Sequence, residues 1–342
     1  MSTQQLQTPE QHQVSPDGCY TLGQFDSSVC QELADRATAL KGGATPDAKP
    51  GKALGLLFLN PSLRTSASFQ RAAARLKLEL VNLNSQGVWA MESEEGAIMD
   101  GTKAEHMKDA AAVLGCFVDV LAIRAFPAGV DLEQDLKDPV LHGFAKHAGV
   151  PIVNMESTLW HPCQALADWA TLDQHQVPKP AKLVLTWAWH PKPLPHAVPN
   201  STLCMAAQRG MEVVVLHPAG YQLHPEIMAE AHVLAAANGG SARVSHNRAE
   251  ALDGAAVVYA KSWGSLDTWG DAEAETAKRA PLGDWCVTSK QMPQGAKFMH
   301  CLPVRRNVVV SDEVIDGPRS LIIDQAENRL HAQTALLERI LS

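Results

Sequence analysis

Residues 54–65 read Leu-Gly-Leu-Leu-Phe-Leu-Asn-Pro-Ser-Leu-Arg-Thr, and this stretch decides the fold. Leu54–Leu59 is a continuous apolar run, the pattern of a strand covered on both faces. Asn60-Pro61-Ser62 breaks it, and a helical pattern runs from Thr65 to Lys77. The same strand–turn–helix order repeats outward along the chain. Further strands are expected at Glu79–Leu83, Val118–Ile123, Pro151–Asn154, Lys182–Thr186, Met211–Leu216, Ala256–Ala260, Lys297–His300 and Leu321–Asp324. Helices are expected at Ser28–Leu40, Ala104–Gly115, Pro139–His147, Pro162–Asp173, Asn200–Arg209, Pro225–Ala237 and Asn328–Leu341. This alternation predicts an α/β protein with two open parallel-sheet domains joined by interdomain helices. A length of 342 residues also favours two domains. The boundary is expected at 158/159, with a C-terminal helix, 326–342, returning to the first domain.

Composition narrows the function. The chain carries 29 Lys and Arg against 37 Asp and Glu, a net charge of −8. That argues against a nucleic-acid partner, which wants a basic face. No apolar run reaches membrane-spanning length, so no membrane partner is expected. Residues 1–18 are polar and Gln-rich, unlike a secretion signal, and read as a frayed tail. The seven cysteines form no C-x-x-C pair, and scattered free thiols suit a reducing cytoplasm.

Ligands of open α/β sheets bind beyond the carboxyl ends of the strands. Residues just after each strand are therefore the candidates. Ser62, Leu63, Arg64 and Thr65 open a helix, whose free N–H groups and dipole favour an anion. The same residues also read as an ordinary capped helix with a solvated Arg. His161 and Gln164, three apart at a helix start, share a face and could donate to one oxygen. Arg124 ends a buried strand and wants an anion, a carbonyl oxygen or a structural ion pair. Arg305 and Arg306 follow a strand and a Leu-Pro turn. One of them could hold substrate while the other pairs with protein. Lys261 ends a strand, and Asn200 reads as a helix cap. No G-x-G-x-x-G follows a strand, which disfavours a dinucleotide enzyme.

Taken in order, Ser62-Leu63-Arg64-Thr65-Ser66, His161-Pro162-Cys163-Gln164 and His300-Cys301-Leu302-Pro303 followed by Arg305-Arg306 resemble the aspartate/ornithine carbamoyltransferases. The resemblance covers about Tyr20 to Leu341. Met99-Asp100-Gly101 with Glu105-His106, His190–Leu194, Tyr259–Gly264 and Ala326–His331 resemble the N-acylornithine branch. The resemblance implies transfer of a carbamoyl group from carbamoyl phosphate to the δ-amine of an N-acylornithine in arginine biosynthesis, with no metal or organic cofactor. It makes the first domain the carbamoyl-phosphate-binding one and the second the acylornithine-binding one. Ser62, Leu63, Arg64, Thr65, Trp89, Arg124, His161, Gln164, Leu302, Arg305 and Arg329 would meet carbamoyl phosphate. Of these, Thr65, Arg124, His161 and Gln164 are the catalytic candidates. Trp89 matches a Trp that the branch inserts into a neighbouring subunit's site, which implies a homotrimer. Ala104, Glu156, Asn200, Lys261, Lys290, Cys301 and Leu302 would face the acylornithine.

Two departures stand out. Ser66 replaces the family's second Arg. Ala104 stands where acetylornithine enzymes carry Glu and succinylornithine enzymes carry Pro. Alanine does not repel a succinyl carboxylate, and Lys290 beside Gln291-Met292 is expected to attract it. The reading therefore favours N-succinylornithine over N-acetylornithine. A paralogue using another amine and a non-catalytic anion binder are the remaining alternatives.

Overall fold

The computed structural model describes residues 18–84 and 89–342. The tail expected at 1–18 lies outside the described residues except for Gly18. In the first half the strands are β1 (Ala53–Phe58), β2 (Glu79–Asn84), β3 (Met91–Glu92), β4 (Glu105–His106), β5 (Val120–Arg124) and β6 (Ile152–Glu156). The second half holds β7 (Lys182–Trp187), β8 (Glu212–Leu216), β9 (Ser241–Ser245), β10 (Val257–Lys261) and β11 (Lys297–Met299). The helices are α1 (Ser27–Lys41), α2 (Leu63–Leu76), α3 (Met107–Gly115), α4 (Leu132–Asp135), α5 (Pro139–His147), α6 (Pro162–Gln174), α7 (Ala197–Gln208), α8 (Pro225–Ala237), α9 (Arg248–Leu252), α10 (Ala272–Arg279), α11 (Asp312–Ile315) and α12 (Ile322–Ile340).

Two parallel sheets result, ordered β2-β1-β5-β6 and β11-β10-β7-β8-β9. A separate two-stranded ribbon pairs β3 with β4. Helices cover both faces of the sheets, so every residue of β5, β6 and β10 is buried; these strands are apolar except for Asn154 and their last residues Arg124, Glu156 and Lys261. Close packing has local requirements. A Cβ on Gly55 in β1 would lie 2.7 Å from Leu121 Cδ1 in β5. Helix α6 leaves the first sheet and leads to the second. Eleven of its thirteen residues are buried, so it shows no polar face. It packs against α1, α7 and α12, and α12 also packs against α1 and α2.

Three expectations change. Leu321–Asp324 is not a strand but the approach to and first turn of α12. A three-residue apolar run, Leu321–Ile323, does not distinguish strand from helix, and no breaker separates it from the helix that follows. Helix α7 begins at Ala197, not Asn200; Pro199 is tolerated because a first turn needs no N–H there. β9 was absent from the expected strands because Ser-Ala-Arg-Val-Ser is a half-exposed edge.

The second half also reaches back to α4. Trp269 Nε1 donates to Asp135 Oδ2 at 2.9 Å, and the same carboxylate accepts the Ala128 and Gly129 N–H groups at 2.7 and 2.9 Å. Trp269→Phe keeps the ring and deletes the donor. It should cost about 1.5–3 kcal/mol, read as a lower urea midpoint. An unchanged midpoint would show that the bond contributes nothing.

Candidate functional site

The carboxyl ends of β1, β5, β6, β10 and β11 deliver the chemistry-bearing residues. After β1, Ser62 caps α2: its Oγ accepts the Thr65 N–H at 3.3 Å and donates to Thr65 Oγ1 at 3.0 Å. Thr65 is buried, and its Oγ1 also accepts Arg329 Nη2 at 2.7 Å across 264 residues of sequence. Leu63 is 84% exposed, so its backbone rather than its side chain is available to an anion. Arg64 is half-buried with no partner for its Nε. Ser66 accepts Gln70 Nε2 at 2.8 Å and carries no charge into this turn.

Arg124 ends β5 and Glu156 ends β6, opposite each other beyond a register shift. They form a buried ion pair. The structural role left open for Arg124 is therefore real, yet its Nε remains unpartnered. Glu156 also lies 3.6 Å from His161 Nε2. Its carboxylate thus faces Arg124 and His161, the half of the site expected to hold carbamoyl phosphate. His161 precedes α6, and its backbone N–H is held by Ser201 Oγ at 2.8 Å. Burial pushes its proton affinity well below the ordinary imidazole range, and Arg329, Arg124, Lys261 and Arg64 push the same way. His161 is neutral at pH 7, with Nδ1 unpartnered among the described residues.

Gln164 donates from Nε2 to Asp168 Oδ1 at 2.8 Å, leaving Oε1 without a partner. Its donor is thus engaged within the protein, unlike the expected pair of donors to one oxygen, and its unpartnered end is an acceptor. Lys261 ends β10, is buried, and makes no ion pair among the described residues. Cys301 is buried close by. Burial raises its thiol, Lys261 and Arg64 pull it down, and Glu156 and Asp168 push it up. Leu302 adopts φ +56°. That left-handed backbone costs a branched residue about 1–2 kcal/mol and fixes where its carbonyl points.

The two adjacent arginines have different partners. Arg306 pairs with Asp312 and Asp316 at 2.8 and 2.6 Å. Arg305 is exposed and donates from Nε to His190 Nε2 at 3.1 Å. Arg329 is buried on α12, with Nε unpartnered. Arg64, Arg124, Lys261 and Arg329 thus place four cations near His161, with Glu156 beside it and the buried Asp168 near Arg329 as the neighbouring carboxylates among the described residues. So much buried positive charge is stable only with an anion or at a cost in the empty protein.

Four candidates lie elsewhere or in another role. Asn200 is inside α7 rather than a cap; its Nδ2 donates to Leu159 O at 3.2 Å, and its buried Oδ1 is unpartnered. Trp89 and Ala104 sit together on the exposed β3–β4 ribbon: Ala104 N–H donates to Ala90 O, and Trp89 Nε1 donates to Glu105 Oε2 at 2.8 Å. Lys290 lines a groove with Asp253–Ala256, which lead into the amino end of β10. Lys261 marks the opposite end, about 15 Å along the strand. Lys290 is therefore not part of this cluster, because a neighbouring Gln-Met pair says nothing about which sheet edge a loop occupies. Sequence reasoning missed Asp168, Tyr259 and Gln325, the polar residues behind Gln164. The i,i+4 spacing of Gln164 and Asp168 was the available signal.

Comparison with known proteins agrees with this geometry. The carbamoyl-P binding domain of aspartate/ornithine carbamoyltransferase matches residues 19–174, and the Asp/Orn binding domain matches residues 195–340. An N-acetylornithine carbamoyltransferase of Xanthomonas axonopodis pv. citri is 42% identical, over 91% of this chain and 92% of its own length. An N-succinylornithine carbamoyltransferase of Bacteroides fragilis is 38% identical, over 85% of this chain and 87% of its own. The crystal structure of an acetylornithine transcarbamylase complexed with acetylcitrulline superimposes with a TM-score of 0.91 at 40% identity, covering 94% of this chain and 98% of that one. Two matched domains, full-length relatives and the cationic cleft agree that this chain belongs to the aspartate/ornithine carbamoyltransferase family.

Proposed function

We propose that the protein transfers the carbamoyl group of carbamoyl phosphate to the δ-amine of an N-acylornithine, N-succinylornithine foremost, giving the N-acylcitrulline and phosphate. The observation that carries this is the buried surplus of cations around a neutral His161 and an unpartnered Gln164 Oε1. The phosphate dianion offsets Arg64, Arg124 and Arg329 at the start of α2, with the Ser62, Leu63 and Thr65 turn beneath it and Arg305 entering from the open side. His161 and Arg124 donate to the carbamoyl oxygen, and Gln164 Oε1 accepts from the carbamoyl NH₂.

The neutral amine attacks the carbonyl carbon near the Leu302 carbonyl. A C–N bond forms, the C–O bond to phosphate breaks, and the amine proton leaves with phosphate. Donors aimed at the two oxygens that gain charge lower the barrier. Lys261, with Cys301 beside it and Asn200 of α7, holds the acylornithine. We place carbamoyl phosphate on residues 1–158 with 326–342, and the second substrate on 159–325. The free thiols suit a cytoplasmic protein.

The acyl preference rests on Ala104. A glutamate-to-alanine variant of an N-acetyl-L-ornithine transcarbamylase, 40% identical to this chain, has been solved with carbamyl phosphate and N-succinyl-L-norvaline. Ala104 supplies the same small neutral side chain in this ribbon. A homotrimer would bring Trp89 and Ala104 of one subunit to the next subunit's cleft. N-acetylornithine is the second reading, favoured by the 42–43% identity to enzymes of that name.

Product formation with N-succinylornithine, N-acetylornithine and ornithine in parallel tests this. Turnover of the succinyl substrate at least tenfold faster is expected, with a native mass of three chains. A clear acetyl preference would refute the role of Ala104, and no turnover would refute the activity.

A further inference from the structure

Gln164 can present either end of its amide to the cleft, and four buried groups decide which. The His300 N–H is only a donor, and it is accepted by Gln325 Oε1 at 3.0 Å. Gln325 Nε2 must then face the other way. It donates to Asp168 Oδ1 at 2.7 Å and to Tyr259 Oη at 3.0 Å. The same Asp168 oxygen accepts Gln164 Nε2 at 2.8 Å. Gln164 Oε1 is thereby left as the free end of the amide, buried and unpartnered. Gln164, Asp168, Tyr259 and Gln325 are all fully buried, so no water competes. Burial pushes the Asp168 carboxyl up to about 7, and Oδ1 can accept in either protonation state.

We propose that Asp168 is a positioning residue: it fixes the polarity of the Gln164 amide, so that the site selects a carbamoyl NH₂ as well as a phosphate. The proposal rests on the carbamoyl-phosphate reading above. Asp168 touches no substrate, and without it the Gln164 amide can turn its NH₂ toward the substrate NH₂.

Calorimetric binding of carbamoyl phosphate and of inorganic phosphate separates this role from a general structural one. Asp168→Ala should weaken carbamoyl phosphate about tenfold and inorganic phosphate less than about twofold, since phosphate does not use Gln164. Asp168→Asn keeps an acceptor oxygen and should restore carbamoyl phosphate to within about threefold. Asp168→Leu covers the case of an alanine variant that does not fold. It fills the space of the carboxylate, offers no acceptor, and should give the same selective loss. Equal loss of both ligands, or no loss of either, would overturn the role of Asp168. An unmodified protein that binds phosphate and carbamoyl phosphate equally would overturn the functional reading, and this proposal with it.

Discussion

Arg64→Ala should lower kcat/KM for carbamoyl phosphate by about 10²–10³ while leaving the empty protein at least as stable. The activity loss follows from removing a donor that meets the leaving phosphate as its charge grows. The stability result follows from the surroundings. Arg64 sits in the first turn of α2, at the positive end of the helix, with its Nε unpartnered. Burial and Arg124 both disfavour its charge. Removing it relieves repulsion with Arg124 and Arg329 and breaks no ion pair of its own. The melting temperature without ligand should hold or rise, and the gain on adding phosphate should shrink. A large thermal loss with little change in rate would mean that Arg64 is structural.

His161→Ala should lower kcat by about 10²–10³ through loss of a donor to the carbamoyl oxygen. The unmodified enzyme should also show a particular pH profile. Because the His161 proton affinity is depressed, the ring is already neutral at pH 6.5 and above. Raising the pH from 6.5 to 8 therefore removes no proton from it. The rate should climb toward the pKa of the attacking amine, near 10 for an alkylammonium. A rate that fell as pH rose through 6–7 would mean that protonated His161 is the active form, which would sink this assignment.

The sequence was most informative where chemistry follows a strand. Ser62, Arg64, Thr65, Arg124, His161 and Gln164 each stand just beyond an apolar run, and the structure brings them together at one sheet edge. Lys290 failed for the complementary reason: it follows no strand, and its loop lies at the amino end of β10. Side-chain direction was also not legible. Gln164 read as a donor because its partner Asp168 is held by Gln325, 157 residues further on. Elements failed where periodicity is weak. The edge strand β9 is too polar, and the start of α12 is too short an apolar run to distinguish.

Protein synthesis runs from the first residue onward, and that order matters for α12. Thr65 receives Arg329, and Asp168 receives Gln325, both from this late helix. The site proposed to hold phosphate therefore stays unfinished until residues 325–329 have left the ribosome, whatever the first sheet has already formed. Until then α1, α2 and α6 lack the apolar side chains of Ala332, Ala335, Leu336 and Leu337 that fill the groove between them. The contacts of α12 with α1, α2 and α6 join distant parts of the sequence, so this docking step should be late and slow. A nascent chain stalled before residue 322 would bind chaperones and no phosphate, and release would switch both properties together.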